Sequence, residues 1–154
     1  MGILTQGFVK TYDPKRVLVN WINHSVSGYA DGTFIEIANR GGDRWTPYIG
    51  SDGEASRAKN NDTTRRITIT LSQTSLSNSF FSKMFALDMA TNNGLGPIQI
   101  IDLNGGSEIF AAQAWIAVPP PMSWAKTIST RVWIFDTGQV ITEAFNGDYV
   151  SLSQ

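Results

Sequence analysis

Cysteine is absent from the sequence, and His24 is its single histidine. A disulfide framework and a thiolate metal site are therefore excluded. A zinc site would need carboxylates for most of its ligands, which is an uncommon donor set. A Ser-His-Asp triad could use only His24, and no nucleophile-elbow pattern accompanies that residue. The sequence thus predicts neither an enzyme active site nor a metal or cofactor site.

Charge is scarce as well, since charged residues make up 16% of the chain and the net charge is −1. Soluble domains usually carry roughly 25% charged residues. A protein that grips nucleic acid needs a concentrated excess of Lys and Arg, which this composition does not supply. The composition is compatible with a surface past which DNA slides, and with a surface that other copies cover.

Long apolar runs are missing too, because no stretch of about 18 apolar residues occurs, so no membrane anchor is expected. Residues 1–10 lack the basic start and apolar core of a signal peptide, which predicts a product of the cytosol. The chain has 154 residues, and we expect residues 1–154 to form one domain with its own core.

The sequence does contain a series of short segments rich in β-branched and aromatic residues. They predict a mainly β fold, an antiparallel β-sandwich or open barrel with one flanking α-helix. Residues 50–62 are either one long loop or a short strand between two turns. The predicted strands cover residues 16–24, 33–38, 44–49, 65–73, 97–103, 108–118, 128–135 and 139–145.

The predicted helix begins with Ser77 as its N-cap, continues to about Asn92 and stops at Gly94. Apolar residues recur along it at helical spacing, which predicts a face that packs on the core. These residues are Phe80, Phe81, Met84, Phe85 and Leu87.

Residues 65–73 alternate more clearly than any other predicted strand, and their two faces differ in character. Ile67, Ile69 and Leu71 make up an apolar face, which predicts that this side of the strand lies in the core. The opposite face is polar and consists of Arg66, Thr68, Thr70 and Ser72.

Residues 50–62 are the most polar stretch of the chain, with Asp52, Glu54, Arg57, Lys59 and Asp62 as its charged residues. The carboxylates could serve as a hydrolase pair or a calcium loop, but the EF-hand spacing is absent and solvated loop charges are favoured. Just before this stretch, Trp45 and Tyr48 form a candidate exposed aromatic pair. A carbohydrate-binding β-sandwich that uses this pair therefore stays open as an alternative function.

Several sequence blocks follow one another between about Val17 and Phe135. They are GYADGTFI at 28–35, DGE at 52–54, RAKNND at 57–62, LSQTSLSN at 71–78, GLGP at 94–97, DL at 102–103, AWI at 114–116, PP at 119–120 and RVW at 131–133. In their order and spacing these blocks resemble the tail tube proteins of contractile-tailed bacteriophages. Val118, Pro121 and the residues after Phe135 depart from the family's pattern.

The resemblance implies a tail-tube fold and a structural, non-enzymatic role. Subunits of this family form rings, usually hexameric, that stack into a hollow tube through which phage DNA passes without specific binding. The implied partners are further copies of the chain, the tail sheath, the baseplate and the tail terminator. The implied location is the virion tail, after assembly in the host cytoplasm. A tail terminator or baseplate ring protein is the alternative within the same biology.

Two hypotheses about residues follow from this family. The polar face formed by Arg66, Thr68, Thr70 and Ser72 is predicted to line the bore, with Arg66 either at its rim or paired with an acid. The polar stretch 50–62 is predicted to reach a neighbouring subunit or the next ring. Outside these regions, residues 1–15 are predicted to form an N-terminal arm and residues 138–154 a C-terminal extension.

Overall fold

The computed structural model describes residues 9–147, which form a short 3-10 helix at Pro14–Arg16, ten strands and one α-helix. The α-helix, α1, spans Ser77–Thr91. The predicted strands are present with their ends displaced by a residue or two, except that the strand predicted over 16–24 is divided by a turn at 22–23 into β1 and β2. The strands are β1 Val17–Trp21, β2 His24–Ser25, β3 Ile35–Asn39, β4 Trp45–Ile49, β5 Ala55–Lys59, β6 Arg65–Ser72, β7 Gly96–Asp102, β8 Glu108–Val118, β9 Thr130–Thr137 and β10 Val140–Ala144.

Strand β8 connects the two halves of one antiparallel sheet, whose strand order is β2-β1-β7-β8-β9-β6-β3. Residues Glu108 to Ala111 of β8 pair with β10, and these residues together with Ala114 pair with β7. The last residues, from Ala114 to Val118, pair with β9. Register shifts interrupt these ladders on both sides of β8, and such bulges bend a strand and increase its twist. The predicted fold class, a mainly antiparallel β fold with one helix, is confirmed.

The apolar face of β6 lies in the core as predicted, because Ile67, Ile69 and Leu71 are all fully buried. They share one core cluster with Trp21 of β1 and Phe135 of β9. The indole N–H of Trp21 donates to the backbone oxygen of Ala114 at 3.1 Å, so this buried ring carries no unsatisfied polar atom.

Helix α1 packs on this core through Phe81, which is fully buried. Phe80, Met84 and Phe85 are partly buried against the same cluster, as the apolar stripe predicts. Leu87 is the exception, since 42% of it is exposed. The helix therefore presents a narrower apolar face than its sequence suggests.

The ends of α1 differ from the predicted caps. Leu76 occupies the N-cap position, and Ser77 is the first helical residue. Ser77 is not a cap because its hydroxyl is turned to another segment, where it accepts the Ser27 backbone N–H at 3.1 Å. At the other end Asn92, rather than Gly94, takes the left-handed conformation, with φ of 61°.

Both predicted terminal segments are attached to the sheet where the structure describes them. Asn104 accepts the backbone N–H of Asp13 and donates to its backbone oxygen, each at 3.0 Å, so the chain is fixed just before β1. In the predicted C-terminal extension, β10 pairs with β8. The remaining parts of the two predicted segments, residues 1–8 and 148–154, lie outside the described residues.

His24 is a titratable residue that contacts the first turn of α1. Its ring stacks on Phe80 with centroids 4.2 Å apart, and its Nε2 lies 3.0 Å from the Ser77 hydroxyl. Because that hydroxyl accepts the Ser27 N–H, its own proton is available for donation to a neutral imidazole. Burial lowers the pKa of His24 below its ordinary value of 6.5.

We expect acid to weaken the fold through His24. An unfolded chain takes up the proton near pH 6.5 while the folded chain still excludes it, so the free energy of unfolding falls as pH drops through that range. Urea unfolding at pH 7.5 and 5.5 measures this fall. His24→Phe retains ring stacking without a titrating group, so we expect a smaller fall for this variant. An equal fall in both proteins would contradict the assignment.

Candidate functional site

The polar face of β6 contains a charge cluster that the sequence did not specify in full. The Arg66 guanidinium donates to both carboxylate oxygens of Asp136 on β9, from Nε at 2.9 Å and from Nη2 at 3.2 Å. Arg40 approaches the same carboxylate at 3.4 Å. The hydrogen bond and charge of Asp136 raise the pKa of Arg66. Arg66 is thus paired with an acid, which is one of the two conditions under which it was predicted to line the bore.

The rest of this face is mixed rather than polar throughout. Cross-strand neighbours share a face, and Thr68 lies opposite Ile134 while Thr70 lies opposite Val132. Thr68, Thr70 and Ser72 are all half-buried, and the Ser72 hydroxyl lies 3.0 Å from that of Thr74. The sequence placed the hydroxyls on one face correctly but did not show that branched apolar side chains of β9 lie beside them.

Asp136 is expected to suppress binding of DNA phosphates to this face. Asp136→Asn removes the charge that offsets Arg40 and Arg66, so we expect weak, salt-sensitive binding of short duplex DNA, with a slope of log affinity against log salt of about −2. Asp52→Asn makes the same charge change at a distant turn and serves as the matched control. Fluorescence anisotropy at low salt tests the difference, and equal binding by both variants would contradict it.

Strands β4 and β5 form a separate hairpin, and every residue of both strands is exposed. Residues 50–62, for which a loop and a strand were both open, therefore contain the second strand of this hairpin. At its tip, the Asp52 carboxylate accepts the Glu54 backbone N–H at 3.0 Å, which fixes the turn. The hairpin side chains include two large exposed apolar groups, Tyr48 at 70% and Ile49 at 61%.

The five charged residues predicted to act together in the 50–62 stretch lie in two different places. Asp52, Glu54, Arg57 and Lys59 belong to the projecting hairpin, whereas Asp62 lies at its base. Hydrogen bonds from the Thr64 hydroxyl and backbone N–H lower the pKa of Asp62. Asp62 therefore fixes the chain at the entry to β6 and does not project with the other four.

Trp45 and Tyr48 do not form one aromatic platform. They are three residues apart on β4, so their side chains point to opposite faces of the hairpin. Trp45 is instead covered by the Arg57 guanidinium, whose central carbon lies 4.5 Å from the ring centroid. This arrangement does not favour a sugar site made of these two rings.

Two further surfaces were not predicted from the sequence. Residues 119–129, between β8 and β9, expose Met122, Trp124 and Ile128 to solvent. An apolar groove of about 660 Å³ also opens between β3 and the end of β10. Three consecutive prolines at 119–121 interrupt the strands at the first surface, but they do not predict that a tryptophan would be exposed there.

Neither a metal site nor a membrane-spanning helix is found in the part of the chain that the structure describes. No cluster of three or more His, Cys, Asp or Glu side chains suited to a metal ion occurs among residues 9–147. No helix among these residues is both long and apolar enough to cross a membrane.

Comparison with known proteins gives matches to phage and injection-system components, although no family model matches the chain. The chain is 29% identical to "Structural protein ORF10" of Pseudomonas phage KPP10 over 136 residues, which is 83% of this chain and 78% of that protein. Among solved structures, the tube-terminating cap of the anti-feeding prophage matches with a TM-score of 0.58 and 13% identity, covering 94% of this chain and 100% of the cap. This chain has the tail-tube and cap fold.

Two other solved structures have the same fold. One is the sheath/tube terminator of the PVC extracellular contractile injection system, with a TM-score of 0.57, 12% identity and coverage of 90% of this chain and 100% of that one. The other is a chain of the PVC sheath–tube complex, with a TM-score of 0.56, 12% identity and coverage of 93% and 97%. Together with the phage relative, these matches show that the chain is similar to structural components of phages and of contractile injection systems.

Proposed function

We propose that the chain is a ring-forming subunit of a contractile phage tail and acts as a tube terminator. The observation that carries this proposal is the match to a tube-terminating cap, which spans the whole of the cap and 94% of this chain. A second structure with the same fold, the PVC terminator, is also matched along its entire length. On this proposal the partners are further copies of the chain, the last ring of the tube, and the sheath.

A repeated tube subunit is the second candidate, and the β4–β5 hairpin favours it. The hairpin pairs with no other strand in the described chain and exposes Tyr48 and Ile49, so it is suited to contact another ring. The mixed hydroxyl and apolar face of β6 would then line the bore, with Arg66 neutralised by Asp136 so that DNA phosphates are not held. Both candidates place the chain in the virion tail.

Electron microscopy of the purified protein, with light scattering on the same sample, separates the two candidates. Single rings that never stack would support the terminator, and stacks or hollow tubes would support the tube subunit. A monomer at high concentration would contradict both. The ring images also give the symmetry, which for the family is usually hexameric.

The hairpin can be tested separately because it contributes nothing to the core. Replacing residues 46–58 by a two-residue Asn-Gly turn should leave the thermal midpoint nearly unchanged and abolish any stacking of rings. Asp52→Asn, which alters only the tip, is the control and should stack as the wild type does. Tubes of normal length from the shortened variant would contradict an inter-ring role for the hairpin.

A further inference from the structure

The loop at residues 119–129 carries large apolar side chains that are exposed to solvent. Met122 is 68% exposed, Trp124 71% and Ile128 70%. The exposed surface of a monomer seldom concentrates such groups in one loop, and a tryptophan is the residue most enriched in binding hot spots. No described part of the chain buries this loop, so another molecule is the natural candidate to cover it.

Two polar side chains, the buried Arg131 and the partly buried Gln73, fix the loop at Ser123 and Ser129. Arg131, which is 6% exposed, donates to the backbone oxygen of Ser123 at 3.0 Å and to the Ser129 hydroxyl at 3.1 Å. Gln73 accepts from the backbone N–H of Ser129 at 3.0 Å. Three consecutive prolines at 119–121 restrict the other end of the loop. A loop fixed in advance binds with a smaller loss of conformational entropy.

The groove between β3 and β10 is lined by apolar side chains, as a site for the apolar side chains of the loop would be. Its lining side chains come from the start of β3, the floor of the sheet and the end of β10. They include Phe34, Ile35, Ile37, Ile100, Ile109 and Phe145. The groove volume of about 660 Å³ is large enough for several side chains of a partner.

Charge also matches between the two surfaces. The charged residues that line the groove are both acidic, Asp102 and Glu108. Asp102 is buried, at 8% exposure, and holds Asn104. Glu108 accepts the Gln99 side-chain N–H at 2.9 Å but is only partly buried, so it is the acid that a cation can reach. The charged residue of the loop is Lys126. Attraction between these groups would favour one orientation of the loop in the groove.

The loop does not fill the groove of its own chain. Ile109 in the groove floor and Val118 before the loop lie at opposite ends of β8, nine residues apart in sequence, which corresponds to roughly 30 Å of extended strand. Arg131 and Gln73 keep the loop at its end of the sheet. The groove that the loop can enter is therefore that of a second copy.

We propose that the loop at 119–129 of one copy inserts Trp124 and its apolar neighbours into the β3–β10 groove of the next copy, with Lys126 beside Glu108. Two different surfaces then meet at each contact, so the contact is head-to-tail, and such contacts close into a ring when the rotation between copies permits. The inference rests on the proposed ring function and assigns the lateral contact, separate from the hairpin.

The absence of cysteine permits a direct test. Ile128→Cys and Phe145→Cys change two exposed residues, one in the loop and one in the groove wall, so the fold is retained. We expect the double variant, after oxidation, to give a ladder of disulfide-linked oligomers on a non-reducing gel. Each single variant should give none. A monomer band from the double variant, or dimers from either single variant, would overturn the contact.

Substitutions in the contact should act on assembly without affecting the fold. Trp124→Ala is expected to raise the dissociation constant of the contact by about 30-fold or more, while Met89→Ala, on the exposed end of α1, leaves it unchanged.

Lys126→Glu and Glu108→Lys should each weaken rings, and the double variant should restore them. Wild-type rings that persist in Trp124→Ala would overturn the contact and leave the ring proposal standing. Absence of rings and of any ladder would overturn both.

Discussion

Phe81→Ala is expected to lower the free energy of unfolding by about 3–5 kcal/mol, the range for a phenylalanine removed from a core. The side chain is fully buried, and the nearest rings that it meets edge-on are those of Trp21, Trp133 and Phe135, at centroid distances of 5.7, 5.4 and 5.1 Å. The truncation would leave a cavity at the point where α1 meets the sheet. Because rigid aromatic neighbours surround it, collapse of that cavity is restricted, which favours the upper part of the range.

Urea unfolding followed by circular dichroism measures the effect of Phe81→Ala. Met89→Ala is a suitable control on the same helix, because Met89 is 74% exposed and its truncation should change stability by no more than about 0.5 kcal/mol. A loss below about 1 kcal/mol in Phe81→Ala would mean that α1 is not held on the sheet by this ring cluster.

Gly28→Ala is expected to cost roughly 2–4 kcal/mol, the sum of backbone strain and a steric clash. Gly28 has φ of 73°, and an added Cβ would lie 2.6 Å from the Cβ of Ser75 and 3.0 Å from its Cα. Ser75 could relieve the clash only by moving its backbone. That movement would disturb the hydrogen bond from the Ser77 N–H to the Ser75 hydroxyl, which orders the start of α1.

Gly32→Ala is the matched control for Gly28→Ala. Gly32 also has a positive φ, of 94°, but nothing lies within 4 Å of an added Cβ. Its substitution should therefore show the strain alone, about 1–2 kcal/mol. Thermal unfolding of both variants isolates the steric contribution of Ser75, and equal losses would show that this contribution is absent.

The strands could be predicted because their signals are local. In β6 the alternation of Ile67, Ile69 and Leu71 with polar residues specified both the strand and its buried face. The helix caps could not be predicted in the same way. The Ser77 hydroxyl has the chemistry of an N-cap, but the tertiary contact with Ser27 and His24 takes it away from that role.

The candidate site was predicted less completely than the fold. The sequence placed Arg66 on the polar face of β6 but could not identify Asp136 as its partner, because the two residues are seventy positions apart and meet only through the β6–β9 register. Exposure of Trp124 was missed for a similar reason. Tryptophan is apolar and usually buried, and the hydrogen bond from Arg131 that fixes the neighbouring Ser123 has no signal in the local sequence.

The shared strand β8 has a mechanical consequence for the molecule. Since β8 hydrogen-bonds to β7, β9 and β10, a force that slides one half of the sheet past the other must shear ladders along both edges of this strand. Neighbouring hydrogen bonds that are loaded in parallel share the force, so the two halves move as one body. The β4–β5 hairpin has no such attachment and can bend without transmitting stress to the core. A chain built in this way combines a stiff sheet with a compliant hairpin.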